Sequence, residues 1–288
     1  MGNYYLYIIA QFAARLLPLK AAYAMAIFMA DCHYMLSHSD RRAVEANLKV
    51  ILKTDQIDPA MVRQVFRNFG KYLADFFTMT KHVNSDFIKT KVRMENMEYL
   101  NKVLTEGKGA IILGAHVGNW EMGGAIVSKL GYPISALALP HKDPRVNKFF
   151  NDQREYFGAV VIQTTTAIRQ CLEHLHNNRL VGILADRDFN NHGLIMDFLG
   201  RPTALPRGAA LFSLKTGAPI IPAFFLRQPN DDFYIIFEPP IYPPQLPGHE
   251  KITEEHVKDL IRQYLPVLEE QIRQHPQQWL MFRKFWAQ

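Results

Sequence analysis

From residue 109 onward, short apolar runs alternate with segments of helical periodicity, and this alternation constrains the fold more than any other feature of the chain. The run at 110–114 (AIILG) precedes a helix expected near 119–130, and ISALAL (134–139) precedes one near 144–157. VVI (160–162) precedes a helix near 166–177, and LVGILA (180–185) ends at a polar loop. PIIPAFFL (219–226) and FYIIF (233–237) complete the strands, before a helix over 252–274. Runs this short and apolar suit strands buried on both faces, and strand–helix–strand repeats join parallel neighbours. The expected fold is α/β: a mainly parallel central sheet flanked by helices.

Residues 1–106 read as a helical N-terminal extension, with apolar spacing of three to four at Val62, Val65, Phe66, Phe69 and Leu73. No Pro/Gly/Ser linker separates it from residues 107–288, so the two regions are expected to form one continuous domain. Within the extension, residues 4–30 are apolar and aromatic but interrupted by Arg15, Pro18 and Lys20. No charge-free run there reaches the roughly 18 residues of a spanning helix. A helix pair lying in a membrane interface, with Arg15 and Lys20 reaching to the headgroups, fits this pattern. A buried helical hairpin is the alternative.

Hydrophobic residues make up 48% of the 288-residue chain and charged ones 21%, which excludes a disordered chain. The net charge of +6 suits an anionic membrane surface or a phosphorylated substrate. No basic run or aromatic nucleic-acid signature accompanies it, and a nucleic-acid partner is not expected. Cys32 and Cys171 lie far apart and show no metal-ligand spacing, so two free thiols and no metal are expected.

The densest chemical signal is Gly114-Ala115-His116-Val117-Gly118-Asn119-Trp120-Glu121, where a strand gives way to a helix. Open α/β sheets bind ligands at that edge. On one continuous helix, His116 and Glu121 would point about 140° apart. They can meet only if the backbone turns between them, and Gly118-Asn119 is suitable turn chemistry. A carboxylate on one imidazole nitrogen would leave the other as a general base. A hydrogen-bonded loop histidine and a glutamate that favours a helix N-terminus is the plainer alternative. The chain has no GxSxG elbow and no HExxH, so direct activation of a substrate hydroxyl is simpler than an acyl-enzyme or a zinc hydrolase.

His-Val-Gly-Asn-Trp-Glu after an apolar strand resembles the HxxxxD/E motif of the glycerolipid acyltransferase superfamily, and most closely its lipid A biosynthesis branch, the late lauroyl/myristoyl acyltransferases. The resemblance extends through Leu184-Ala185-Asp186-Arg187-Asp188 and Met196-Asp197-Phe198-Leu199-Gly200-Arg201-Pro202. It continues through Leu205-Pro206-Arg207-Gly208, Thr216-Gly217-Ala218-Pro219 and Pro276-Gln277-Gln278-Trp279-Leu280-Met281-Phe282-Arg283. It implies that His116 deprotonates an acceptor-lipid hydroxyl, that Glu121 orients His116, and that the hydroxyl attacks an acyl thioester of acyl-carrier protein or coenzyme A. No cofactor or metal is implied, and the setting would be the cytoplasmic face of an inner membrane, peripherally or monotopically bound.

Arg187 is the candidate for an oxyanion donor or a clamp on an acceptor phosphate; an internally paired Asp186–Arg187–Asp188 cluster is the alternative. Asn119, Asp186, Asp188 and Asp197 are further supporting candidates, Asp197 as a carboxylate near the base. Arg283 and Lys284 beside Trp279, Phe282, Phe285 and Trp286 suggest either an interfacial anchor or a C-terminal helix with its aromatics turned inward. Other acceptors (a lysophospholipid, an aminolipid, a mannosylated inositol lipid) and a non-catalytic membrane-surface or nucleic-acid binding protein remain competing readings.

Overall fold

The computed structural model describes residues 2–164, 167–189, 192–245 and 251–286. The N-terminal part forms α1 (Gly2–Leu16), α2 (Leu19–Leu36), α3 (His38–Leu52), α4 (Pro59–His82) and α5 (Ser85–Lys91). Local chemistry sets their starts. Ser37 accepts from the Asp40 N–H to open α3, Asp58 caps Ala60 with Pro59 in the first turn of α4, and Asn84 caps Phe87 for α5.

The expectation of helix throughout residues 1–106 fails at β1 (Val92–Glu95), which precedes α6 (Glu98–Thr105). β1 pairs in parallel with Phe233–Phe237 and forms one edge of the main sheet. Four residues of mixed polarity (VRME) carry too little period to declare a strand, and only the distant partner makes it one.

Next in the chain come β2 (Ala110–Gly114), α7 (Trp120–Lys129), β3 (Ile134–Ala138), α8 (Pro144–Glu155), β4 (Val160–Gln163), α9 (Ala167–His176) and β5 (Leu180–Leu184). They are followed by β6 (Leu194–Phe198), β7 (Arg201–Leu205), α10 (Gly208–Thr216), β8 (Ile220–Arg227), β9 (Phe233–Phe237) and α11 (Glu254–Gln274). The seven-stranded sheet has the order β1-β9-β8-β2-β5-β3-β4, and every neighbouring pair is parallel except β8–β9. The mainly parallel α/β architecture expected from the strand–helix alternation is therefore the one formed. β6 and β7 stand apart as a hairpin whose loop, Leu199-Gly200, has φ of 58° and 86°. Positive φ at both loop residues matches the twist of the flanking strands.

Strand alternation divides the core between the two faces of the sheet. Ile111 and Leu113 of β2, with Ile220 and Phe224 of β8, pack with Leu175, Ala209, Leu260 and Tyr264. Ala110 and Ile112, with Ile221 and Phe225, pack with Met122, Ile126, Phe149 and Phe76. A third cluster, with Val44, Leu48, Val62, Val65 and Phe66 at its centre, joins α3 and α4 to Leu280 near the C-terminus. The C-terminal aromatics turn inward, although from a short 3₁₀ turn (Pro276–Gln278) and irregular chain rather than from a helix. Trp279 is buried, Phe282 packs edge-on against Phe66, and Phe285 lies near Phe198. Cys32 and Cys171 are free thiols.

Among the described residues no helix is long and apolar enough to cross a membrane. α1 nevertheless exposes Tyr5, Ile9, Phe12 and Leu16, a stripe at helical spacing, and α2 exposes Phe28, Met29, Met35 and Leu36.

Candidate active site

β2 and β5 are parallel neighbours, in register from Ala110↔Leu180 to Gly114↔Leu184. Each strand carries a chemical side chain two residues beyond the last pair: His116 after β2 and Asp186 after β5. The Ala185 N–H donates to the Gly114 carbonyl at 2.9 Å and keeps the two exits together. The Asp186 carboxylate therefore meets the His116 imidazole, with Oδ1 2.7 Å from Nδ1, while Oδ2 accepts from the His116 backbone N–H at 2.9 Å. The Trp279 indole donates to the same Oδ2 at 2.9 Å.

Asp186 is fully buried, whereas the His116 side chain keeps 17% of its surface exposed. Burial pushes the Asp186 carboxyl up, but the His116 charge and the hydrogen bonds from His116 and Trp279 outweigh it and lower it overall. An ionised Asp186 on Nδ1 fixes the tautomer with the proton on Nδ1. Nε2 has no hydrogen-bond partner among the described residues and is free to act as a base.

The expected hydrogen bond between His116 and Glu121 does not form. The backbone does turn at Gly118, where φ is +70° and a Cβ would lie 2.2 Å from the Phe225 carbonyl oxygen. That turn lets Asn119 cap α7, its Oδ1 accepting from the Met122 N–H at 3.1 Å. Glu121 then lies in the first turn of α7, facing α8 rather than β5. There Arg154 grips it through Nε (3.1 and 3.0 Å) and Nη2 (2.6 Å). Burial pulls the Arg154 guanidinium down, but the Glu121 charge and hydrogen bonds more than offset this and raise it, so it stays charged. Nη1 of Arg154 is left without a partner among the described residues.

His116, Glu121 and Arg154 line one cavity of about 410 Å³. The rest of its wall is largely apolar, from Ile112, Ile134, Leu137, Ile183 and Phe225, with small residues at Gly124, Ala136 and Gly182. Such a shape, an apolar slot with a few converging polar groups, is that of a ligand site. The Trp120 ring stands edge-on to the imidazole at 5.0 Å, and the Phe189 ring lies 6.4 Å from it. Among the described residues, no cluster of His, Cys, Asp or Glu side chains could hold a metal ion.

The other sequence candidates fall elsewhere. Asn119 is buried, and its Nδ2 donates to Asp75 at 2.6 Å. Asp197 is remote from the base in its bonding: its Oδ1 accepts from the Gly200 N–H at 3.0 Å and closes the β6–β7 turn, a role typical of Asp beside Gly. Asp188 accepts from the Gly193 N–H at 2.8 Å. The internally paired Asp–Arg–Asp cluster is therefore absent, because Asp186 is committed to His116 and no carboxylate pairs with Arg187 among the described residues. Arg187 stacks instead over Phe189 at 4.3 Å. Sequence reasoning missed Arg154, and it named Trp279 only as a C-terminal aromatic in the family-like segment, not as a partner of Asp186; both come from segments far from the motif.

A family model described as "Bacterial lipid A biosynthesis acyltransferase" matches residues 1–288. The chain is similar to a phosphatidylinositol mannoside acyltransferase of Mycobacterium tuberculosis (strain CDC 1551 / Oshkosh), 27% identical over 203 residues, covering 68% of this chain and 64% of that protein. One of the same description from Mycolicibacterium smegmatis is 25% identical over 207 residues, 70% of this chain and 68% of that protein. A lipid A biosynthesis acyltransferase of Haemophilus influenzae is 26% identical over 168 residues, 57% of this chain and 50% of that protein.

Proposed function

The chain belongs to the bacterial lipid A biosynthesis acyltransferase family, and from that membership we propose that it transfers a fatty acyl chain from an acyl thioester to a hydroxyl of a lipid A precursor or related glycolipid. The single observation that carries the mechanism is the His116–Asp186 pair at 2.7 Å on the wall of an apolar cavity. His116 Nε2 takes the proton of the acceptor hydroxyl while its oxygen attacks the thioester carbonyl carbon. Asp186 stabilises the resulting imidazolium through Nδ1–H. The tetrahedral oxyanion collapses, the C–S bond breaks, and the imidazolium returns its proton to the leaving thiolate.

We assign the oxyanion-stabilising charge to Arg154 rather than Arg187, because Arg154 lines the cavity and its Nη1 has no partner among the described residues. Glu121 then serves the reaction by holding Arg154, not by touching His116. The donor is acyl-carrier protein or acyl-coenzyme A, and the apolar cavity accommodates its acyl chain. The protein works peripherally at the cytoplasmic face of the inner membrane, with the exposed stripes of α1 and α2 against the lipid.

A second acceptor is supported by the descriptions of the mycobacterial relatives, whose similarity covers 68% and 70% of this chain: a mannosylated inositol lipid. The test is mass spectrometry of lipid products when the purified protein is offered both donors and a panel of lipid A precursors, phosphatidylinositol mannosides and lysophospholipids. Acylation of a glycolipid is the expected outcome, and its identity separates the two readings. If no lipid gains an acyl chain from either donor, the proposal is wrong.

A further inference from the structure

Tyr72 follows Phe69 by three positions on the inward face of α4, and only 8% of its surface is exposed. Its ring packs on Phe69 at 5.9 Å and on Trp120 at 4.7 Å, and it forms part of the wall of the catalytic cavity. No group among the described residues accepts from its hydroxyl. Resting on the acyl-transfer reading above, we propose that Tyr72 is a further catalytic residue: its phenol O–H donates to the thioester carbonyl oxygen, beside Arg154, as that oxygen becomes negative.

Three observations support it. First, the side chain is buried while its hydroxyl has no acceptor among the described residues. A buried donor left without a partner is destabilising, and a ligand atom that accepts from it removes the penalty.

Second, the hydroxyl is turned toward the catalytic groups. Tyr72 also borders a small void of about 10 Å³ beside Asn119 and Arg227. The charges that act on the phenol are nevertheless Glu121 and Arg154, from the cavity wall, and not the Asp75–Arg227 pair. Burial and the Glu121 charge push the phenol well above its ordinary value, with Arg154 pulling the other way, so it stays a neutral donor.

Third, one ring sets the phenol and the base relative to each other. Trp120 packs on Tyr72 at 4.7 Å and stands edge-on to His116 at 5.0 Å, while the adjacent Glu121 holds Arg154. A guanidinium offers donors only, so the Tyr72 O–H and the Arg154 Nη1 in one cavity suit an acceptor atom, the oxygen on which charge develops. Tyr72 gives up no proton in the step. The carbonyl π electrons move onto oxygen as the acceptor hydroxyl adds, and they return as the C–S bond breaks. The helical N-terminal region thereby contributes a group to the chemistry.

The test is Tyr72→Phe, which removes one oxygen and keeps the ring contacts with Phe69 and Trp120. Its kcat for acyl transfer should fall about 10²-fold, with the KM of donor and acceptor changed by less than about threefold and the urea midpoint unchanged. Wild-type kcat would overturn the inference and leave acyl transfer standing. So would a lowered urea midpoint, which would give the hydroxyl a structural partner.

A second measurement separates the carbonyl contact from packing. Two unreactive donor analogues, each made on acyl-carrier protein and on coenzyme A, are titrated into wild type and Tyr72→Phe. One is a thioether with a methylene in place of the carbonyl; the other is a phosphonate that places a charged oxygen at the carbonyl oxygen's position. Tyr72→Phe should weaken phosphonate binding about tenfold and leave thioether binding within about twofold. Weakening of both alike, or of neither, overturns the inference. Should the wild type transfer no acyl chain, the acyl-transfer reading fails first, and the two titrations alone decide whether Tyr72 donates to an oxyanion.

Discussion

At the residue scale, the account rests on Asp186. It was legible in the sequence as an acidic residue after a strand, but not as the partner of His116, from which it is separated by 70 positions. Only the adjacency of β2 and β5 brings the two strand exits together, and strand order is not written in any local pattern. Glu121 was the more visible carboxylate because it is close in sequence, and Arg154, 33 positions away, captures it. The lowered Asp186 carboxyl makes an acid-stability prediction. A carboxyl with a folded value below its unfolded value of about 3.9 contributes stability that is fully present above that value and is lost as pH falls through the folded one. In urea melts, wild type should therefore exceed Asp186→Asn most at neutral pH. The gap should narrow as pH falls below about 4; a constant gap down to pH 2 would contradict the assigned direction.

At the element scale, two adjacent glycines of α7 make opposite predictions. A Cβ on Gly123 would lie 2.0 Å from the Phe225 ring, which is buried and cannot swing away, whereas nothing lies within 4 Å of a Cβ on Gly124. Gly123→Ala should destabilise the protein by about 1–3 kcal/mol through overpacking. Gly124→Ala should be neutral or up to about 1 kcal/mol stabilising, since Ala is the better helix residue. Chemical denaturation of both variants checks the pair. The core elements were readable because their apolar runs are uninterrupted by polar residues: AIILG and FYIIF match β2 and β9 residue for residue. β1 and the β6–β7 hairpin were not, since VRME, LIMDF and RPTAL mix exposed polar and buried positions. Their strand character depends on partners and on the positive-φ turn at Leu199-Gly200.

At the scale of the whole molecule, a buried polar knot joins the N-terminal helices to the catalytic segment. Asp75 of α4 accepts from Tyr23 of α2 at 2.6 Å, from Asn119 at the start of α7 at 2.6 Å, and from Arg227 at the end of β8. Burial raises the Asp75 carboxyl, against the pull of Arg227 and these hydrogen bonds. Replacing one member strands the rest, so Asp75→Ala should cost about 3–5 kcal/mol in denaturant unfolding, more than most single substitutions. Through Tyr23 the knot also ties α2, which carries one of the exposed apolar stripes, to the segment beside the site. Phe12→Ser with Phe28→Ser should reduce co-sedimentation with anionic vesicles while leaving the fold, by circular dichroism, intact; undiminished vesicle binding would remove α1 and α2 as the contact.

The most direct test of the central claim is single-turnover acyl transfer from a thioester donor to the acylated glycolipid, measured for wild type, His116→Ala and Asp186→Asn. The account predicts a loss of about 10²–10⁴-fold in the chemical step for both variants, in proteins that remain folded. Wild-type transfer by folded His116→Ala would contradict it outright, and wild-type transfer by folded Asp186→Asn would remove Asp186 from the mechanism.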